Sequence, residues 1–278
     1  MPHLPYSCLW FDGRAQEAAA YYTALFQDAR IVQSTPMVTS IELMGTPFML
    51  LDGGPMYHPN PAISYFAYCG SEAEVTRLYE ALSAEGSVLM PLGAYAWGPH
   101  YAWVQDRYGV NWQLDPDRLP IRQQIAPTLL FVNEKNTRVR EALDHYQTVF
   151  PEFRLLVESP YAPEAGLPAG ALLFAQCKLN GTVLNAMSST MAHDYDFTPG
   201  NSLVISCDTQ AEIDHYWERL GAGGHYSQCG WLQDQFGVSW QIVPTVLPQL
   251  MADPERGPRV VQAFLQMQKF DIAALERA

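Results

Sequence analysis

Asp106-Arg107-Tyr108-Gly109-Val110-Asn111-Trp112-Gln113-Leu114 returns 128 residues later as Asp234-Gln235-Phe236-Gly237-Val238-Ser239-Trp240-Gln241-Ile242. Both copies read as a turn running into a strand. The glycine takes positive φ without a Cβ clash, and Asp favours the turn. Beyond the glycine the pattern alternates. Val110, Trp112 and Leu114 share one face, and Asn111, Gln113 and Asp115 share the other. The apolar face suits packing on helices. The polar face is expected to line a hollow where the protein works.

The repeat extends outward from this stretch. Leu9-Trp10-Phe11-Asp12 opens a strand, and Arg14 to Phe26 reads as a helix with Ala18, Ala19, Tyr22, Leu25 and Phe26 at i, i+3, i+4 spacing. Thr128 to Val132 opens the second copy, whose helix ends at His145 to Phe150. Short strands follow at Ala29–Ser34, Ser40–Met44 and Pro47–Leu51, the last two joined at Gly45-Thr46. Ile63–Cys69 is a strand and Ser71–Ala84 a helix, with Ser71 as cap and Glu74 three residues on. In copy two Ser202–Cys207 is the strand and Asp208 the expected cap. Between Leu92 and Tyr101 copy one carries a longer loop than copy two. Each half thus reads as strand, helix, three strands, and then the same again.

The expected class is α+β, with tandem βαβββ modules in curved mixed sheets and two homologous domains. Strict alternation of strand and helix, which a doubly wound fold needs, is absent. The Pro-bounded stretch Pro116–Pro127 is the best boundary, giving domains 1–120 and 121–278. The second carries a helical tail, with Val260, Val261, Phe264, Leu265 and Met267 as its apolar stripe and Asp271 as a late cap. Whether each cup forms within one half or from pieces of both is left open by the sequence.

Composition excludes several roles. At 278 residues, with 48% hydrophobic and 16% charged residues, the chain has ample core and no disordered character. A net charge of −13 disfavours nucleic acid and anionic membranes as partners. No leader or membrane span is read, and the five cysteines have no CxxC spacing, so reduced thiols in a cytoplasmic protein are expected.

Leu9-Trp10-Phe11-Asp12-Gly13, the run Cys229 to Pro244 and the tail Gln266 to Leu275 resemble the PhnB-like branch of the vicinal oxygen chelate (glyoxalase, bleomycin resistance, dioxygenase) superfamily. That branch is commonly called 3-demethylubiquinone-9 3-methyltransferase. The resemblance implies paired modules forming cup-shaped, eight-stranded half-barrels. It also implies a monomer that mimics a dimer within one chain, or a homodimer. In metal-dependent relatives four inward positions hold a divalent ion through His and Glu. Repeat alignment and strand parity put those positions near Ser7, Met49, Ser64 and Gln113, and near Thr128, Asn185, Ser202 and Gln241. None is an imidazole or carboxylate, so no metal and no cofactor are expected, and these neutral side chains suit a neutral polar ligand.

Trp97 and His100 in the longer loop join Ser7, Ser64, Gln113, Thr128, Asn185, Ser202 and Gln241 as candidate ligand-binding residues; no catalytic residue is assigned. Trp103, Trp231, Tyr95 and Tyr101 complete a possible aromatic rim. The leading reading is a metal-independent small-molecule-binding protein, or an enzyme of unknown substrate, with a pocket in each cup. Alternatives stay open. A lyase or dioxygenase could recruit a metal through the loop histidines His58, His100, His193 and His225. A methyltransferase would need a glycine-rich turn after a strand, whereas Gly221-Ala222-Gly223-Gly224 follows a helix and reads as its C-cap. A sequestering protein would bind without turnover.

Overall fold

The computed structural model describes residues 3–278. Four βαβββ units follow one another. The first is β1 (Tyr6–Phe11), α1 (Ala15–Leu25), β2 (Arg30–Ser34), β3 (Val38–Leu43) and β4 (Thr46–Asp52). The second is β5 (Ile63–Tyr68), α2 (Glu72–Ser83), β6 (Ser87–Tyr95), β7 (Gly98–Gln105) and β8 (Asn111–Asp115). The third is β9 (Ile125–Phe131), α3 (Val139–Val149), β10 (Arg154–Pro160), β11 (Leu172–Leu179) and β12 (Thr182–Ser188). The fourth is β13 (Asn201–Cys207), α4 (Gln210–Gly221), β14 (His225–Tyr226), β15 (Trp231–Gln233) and β16 (Ser239–Pro244). The tail adds α5 (Leu247–Ala252), α6 (Gly257–Phe264) and α7 (Ile272–Arg277).

The strands make two open, mixed, eight-stranded sheets. One runs β14-β15-β16-β13-β1-β4-β3-β2, the other β10-β11-β12-β9-β5-β8-β7-β6. The first sheet therefore joins the first and fourth units, and the second joins the second and third. Their central seams are antiparallel, with Cys8 opposite Ser202 and Ser64 opposite Thr128. Each sheet takes half its strands from either copy of the repeat. No helix among the described residues is long and apolar enough to cross a membrane.

The duplicated stretch works as a hub. Asp106 Oδ1 accepts the N–H groups of Tyr108 (2.8 Å) and Val110 (3.1 Å), which closes the turn. Its Oδ2 accepts the Tyr22 hydroxyl of α1 (2.7 Å) and Trp112 Nε1 (2.8 Å). Asp234 repeats the set with Phe236, Val238, Tyr146 of α3 and Trp240. One carboxylate thus ties turn, strand and a helix together. Trp112 and Trp240 are fully buried on the helix face, where Trp112 meets Phe26 and Trp240 meets Phe150. The face that alternation assigned to packing is the one that packs.

Local chemistry shifts some boundaries. The cap of α4 is Thr209, not Asp208: Thr209 and Glu212 close a reciprocal capping box. The Leu92–Tyr101 stretch is not a loop, because β6 and β7 pair through it. Three register irregularities around Val88, Met90 and Gly93 break the alternation that would have marked it as strand. The turn before β4 sits at Met44-Gly45, both at positive φ (48° and 73°), and returns as Asn180-Gly181. In the tail, Asp271 caps α7 by accepting the Ala274 N–H at 2.8 Å.

Candidate functional site

Strand parity turns Ser64, Gln113, Thr128, Asn185, Ser202 and Gln241 inward. In the second sheet the four expected positions come together. Gln113 Nε2 donates to Ser64 Oγ (2.7 Å), and Asn185 Nδ2 donates to Thr128 Oγ1 (3.2 Å). Tyr101 donates its hydroxyl to Gln113 Oε1 (2.6 Å), and Gln176 Nε2 donates to Asn185 Oδ1 (3.0 Å). All four are buried. Tyr101, Trp103, Leu130 and Val132 cluster with Phe66, Met187 and Tyr195, so this cup is filled by its own side chains.

The first sheet differs by one residue. Ser7 lies opposite Leu203 and Phe48, on the helix side of β1, within hydrogen-bonding reach of Tyr65. Its neighbour Cys8 holds the inward place, opposite Ser202 and Met49. Because strand side chains alternate, a slip of one in the repeat alignment moves a residue to the other face. Aligning Phe11 with Phe131 would have placed Cys8 with Thr128. Gln241 Nε2 donates to Ser202 Oγ at 2.9 Å, and both side chains reach the Cys8 thiol.

Burial pushes the Cys8 thiol up to about 12, against the smaller pull of Gln241 and Ser202. Only the thiolate reacts, so Cys8 is held inert near neutral pH. Cys8, Cys69, Cys177 and Cys207 are buried, and Cys229 is half-buried. Ellman titration of the native protein at pH 8 is expected to modify Cys229 alone, with the remaining thiols appearing in guanidinium. Rapid reaction of Cys8 in the native state would show that this cup is open to its floor.

Beside this floor lies a cleft of about 290 Å³. Trp10, Tyr57 and Trp231 form its aromatic walls, Gln233 and Ser239 its polar side, and His225, Met56 and Pro199 its rim. Trp231 is opposite Gln241 and Gln233 is opposite Ser239, so β15 and β16 aim both pairs inward. Ser239 is 1% exposed, yet its hydroxyl has no hydrogen-bond partner in the protein. Sequence reading missed Trp10, Tyr57 and Ser239. Ser239 was recoverable, since it replaces Asn111 on the polar face of the repeated stretch. Tyr57 was not, because it reaches the cleft from a loop.

Other expected residues fall elsewhere. Trp97 is 60% exposed at the tip of the β6–β7 hairpin, stacked on Tyr95 (centroids 5.1 Å apart). His100 points away from the cup, and its Nε2 lies 3.0 Å from Thr76 Oγ1 on α2. His193 Nε2 lies 2.8 Å from Ser189 Oγ. Among the described residues no group of three or more His, Cys, Asp or Glu could hold a metal ion. At the four inward positions that the resemblance implied for an ion the side chains are Cys8, Met49, Ser202 and Gln241 in one cup, and Ser64, Gln113, Thr128 and Asn185 in the other. Neither set offers the three imidazole, carboxylate or thiolate donors that a divalent catalytic ion requires, so these residues do not fit one. The glycine run after α4 ends that helix. Gly224 N–H bonds Gly221 O at 3.0 Å, and a Cβ at Gly224 would strike the Gln233 carbonyl at 2.0 Å.

Comparison with known proteins agrees with this architecture. A PhnB protein from Bacillus cereus is 32% identical over 40% of this chain and 96% of its own (TM-score 0.37). Glyoxalase I from Zea mays is 12% identical over 88% of this chain and 92% of its own (TM-score 0.57). A Bacillus subtilis protein described as a dioxygenase is 9% identical over 86% of this chain and 84% of its own (TM-score 0.51). At such identity the last two show the fold alone. No curated protein matches the chain. The family model described as 3-demethylubiquinone-9 3-methyltransferase matches twice, over residues 5–115 and 123–243. With both copies of the repeat matched, the chain belongs to the 3-demethylubiquinone-9 3-methyltransferase family.

Proposed function

We propose that this is a metal-independent small-molecule-binding protein whose working site is the cup of the first sheet. The observation that carries the reading is the cleft walled by Trp10, Tyr57 and Trp231 beside an uncharged floor. Pockets of this kind are mostly apolar, with a few placed polar groups that orient the ligand. Gln241, opposite Trp231 in register, is the polar group of the floor beside the cleft, its Nε2 donating to Ser202 Oγ. In the other cup the corresponding groups bond one another and are covered by Tyr101 and Trp103. They serve that cup as a polar core. The unpaired thiols suit a reducing compartment, and we place the protein in the cytoplasm.

Protein purified without an affinity tag is expected to carry no stoichiometric Ni, Zn, Mn or Fe by elemental analysis, and Gln241→Ala is expected to lower the affinity for a cup ligand about tenfold. One equivalent of metal, lost together with activity on chelation, would instead establish a metal-dependent lyase or dioxygenase. Heat released on titration with S-adenosylmethionine would favour the methyltransferase that the family name describes.

A further inference from the structure

We propose that the cleft of the first sheet selects a flat, uncharged aromatic molecule, its ring against Trp10 and Trp231 and a polar substituent on the Ser239 hydroxyl. The proposal rests on the cup assignment above and narrows it to a ligand class.

Three features converge. Trp10 is fixed in advance. Its Nε1 donates to Gly54 O at 2.7 Å, and the ring lies so close to Gly53 that a Cβ there would approach within 2.2 Å. Its centroid stands 5.2 Å from Tyr57 and 5.8 Å from Trp231, at 86° and 71° to those rings. This is a corner of π-systems with edges and faces already set, which suits a further ring at offset or edge-to-face geometry. Second, no Asp, Glu, Lys or Arg lines the cleft. An ion entering would shed its hydration with no permanent counter-charge in the lining, where His225 opposite Gln233 is the one side chain able to become cationic, so neutral molecules are favoured. Third, the buried hydroxyl of Ser239 has no partner in the protein, and such a group is costly to leave unmade. Gln233 and Ser202 stand opposite it in register, so a substituent on the ring meets Ser239 among neutral donors and acceptors. The volume of about 290 Å³ limits the ligand to a small ring system.

The test compares benzamide, cyclohexanecarboxamide and benzoate, matched in size, by saturation-transfer NMR and tryptophan fluorescence on the full-length protein. Benzamide is expected to bind at least tenfold more tightly than the other two. Ser239→Ala should weaken it about tenfold, the loss of one hydrogen bond. Trp231→Ala should abolish it. Ser239→Ala removes only an unpartnered oxygen, so its unfolding midpoint should be no lower than the parent's, which separates a binding role from a structural one. Equal binding of cyclohexanecarboxamide or benzoate, still sensitive to Trp231→Ala, would overturn the ligand class and leave the cup as the site. An unchanged benzamide affinity in Ser239→Ala would remove the hydroxyl from the proposal. No binding by any of the three would overturn the ligand class and the cup assignment together.

Discussion

Asp234→Ala is expected to lower folding stability by about 3–5 kcal/mol, the largest single-site effect outside the apolar core. The carboxylate is the shared acceptor for two backbone N–H groups, the Tyr146 hydroxyl and Trp240 Nε1, all in a buried corner. Truncation strands four donors where water does not reach, each costing about 1–3 kcal/mol if nothing replaces its partner. Tyr146→Phe deletes one donor and should cost only about 1 kcal/mol. The pH dependence has a definite sign. Burial pushes the Asp234 carboxyl above its ordinary range, outweighing its donors. The folded chain then keeps a proton over a window in which the unfolded chain has released it. Within that window this group makes stability fall as pH rises, and Asp234→Asn should remove its share of the slope. Urea unfolding at several pH values checks both statements. A loss under about 1 kcal/mol in Asp234→Ala would show that the hub is decorative.

Phe270→Ala is expected to cost about 3–5 kcal/mol and to weaken ligand binding in a cleft that Phe270 does not line. The ring is buried in the tail and presses on Gly230, where an added Cβ would sit 2.6 Å from it. Beside it the N–H groups of Cys229 and Gly230 bond the carbonyls of Met267 and Gln268, both at 2.7 Å. Cys229 holds φ of +58°, a conformation that a non-glycine residue keeps only under constraint. The next residue is Trp231, a wall of the cleft. The tail therefore clamps the loop that aims this tryptophan. Thermal unfolding, with benzamide affinity measured well below the midpoint, separates the two effects. Phe270→Leu should recover most of both, since it refills the volume. Full affinity in Phe270→Ala would free the cleft from any dependence on the tail.

What the sequence made legible follows from its period. Alternation after Gly109 and Gly237 assigned faces correctly, because a strand in a sheet with helices on one side has only two choices. The same logic picked out Ser64, Gln113, Thr128 and Asn185 one by one, but only the pairing of β5 with β9 puts these residues of different halves in one cup. It failed at Ser7, where the alignment slipped by one residue, and Cys8 took the inward place. It failed again at the β6–β7 hairpin, where register irregularities hide the alternation. Pairing between units was not readable at all, because the four units are alike in pattern and nothing local says which edge meets which. The open cleft was hidden for a related reason. It depends on Tyr57 from a loop and on a compressed β14–β15 arm, so the two cups differ through what surrounds them more than through their floors.

The order of the first sheet has a consequence for how the chain is made. β1 sits against β13, with Tyr6 opposite Val204, so the opening strand emerges from the ribosome long before its neighbour exists. The second and third units can complete their shared sheet meanwhile, as both lie within the intervening segment. Contacts so distant in sequence are slow to form, and an unpaired strand edge is prone to pairing with other chains. Expression yield should then be governed by how long that first edge waits, and slowing translation after the third unit should increase aggregation more than slowing it earlier.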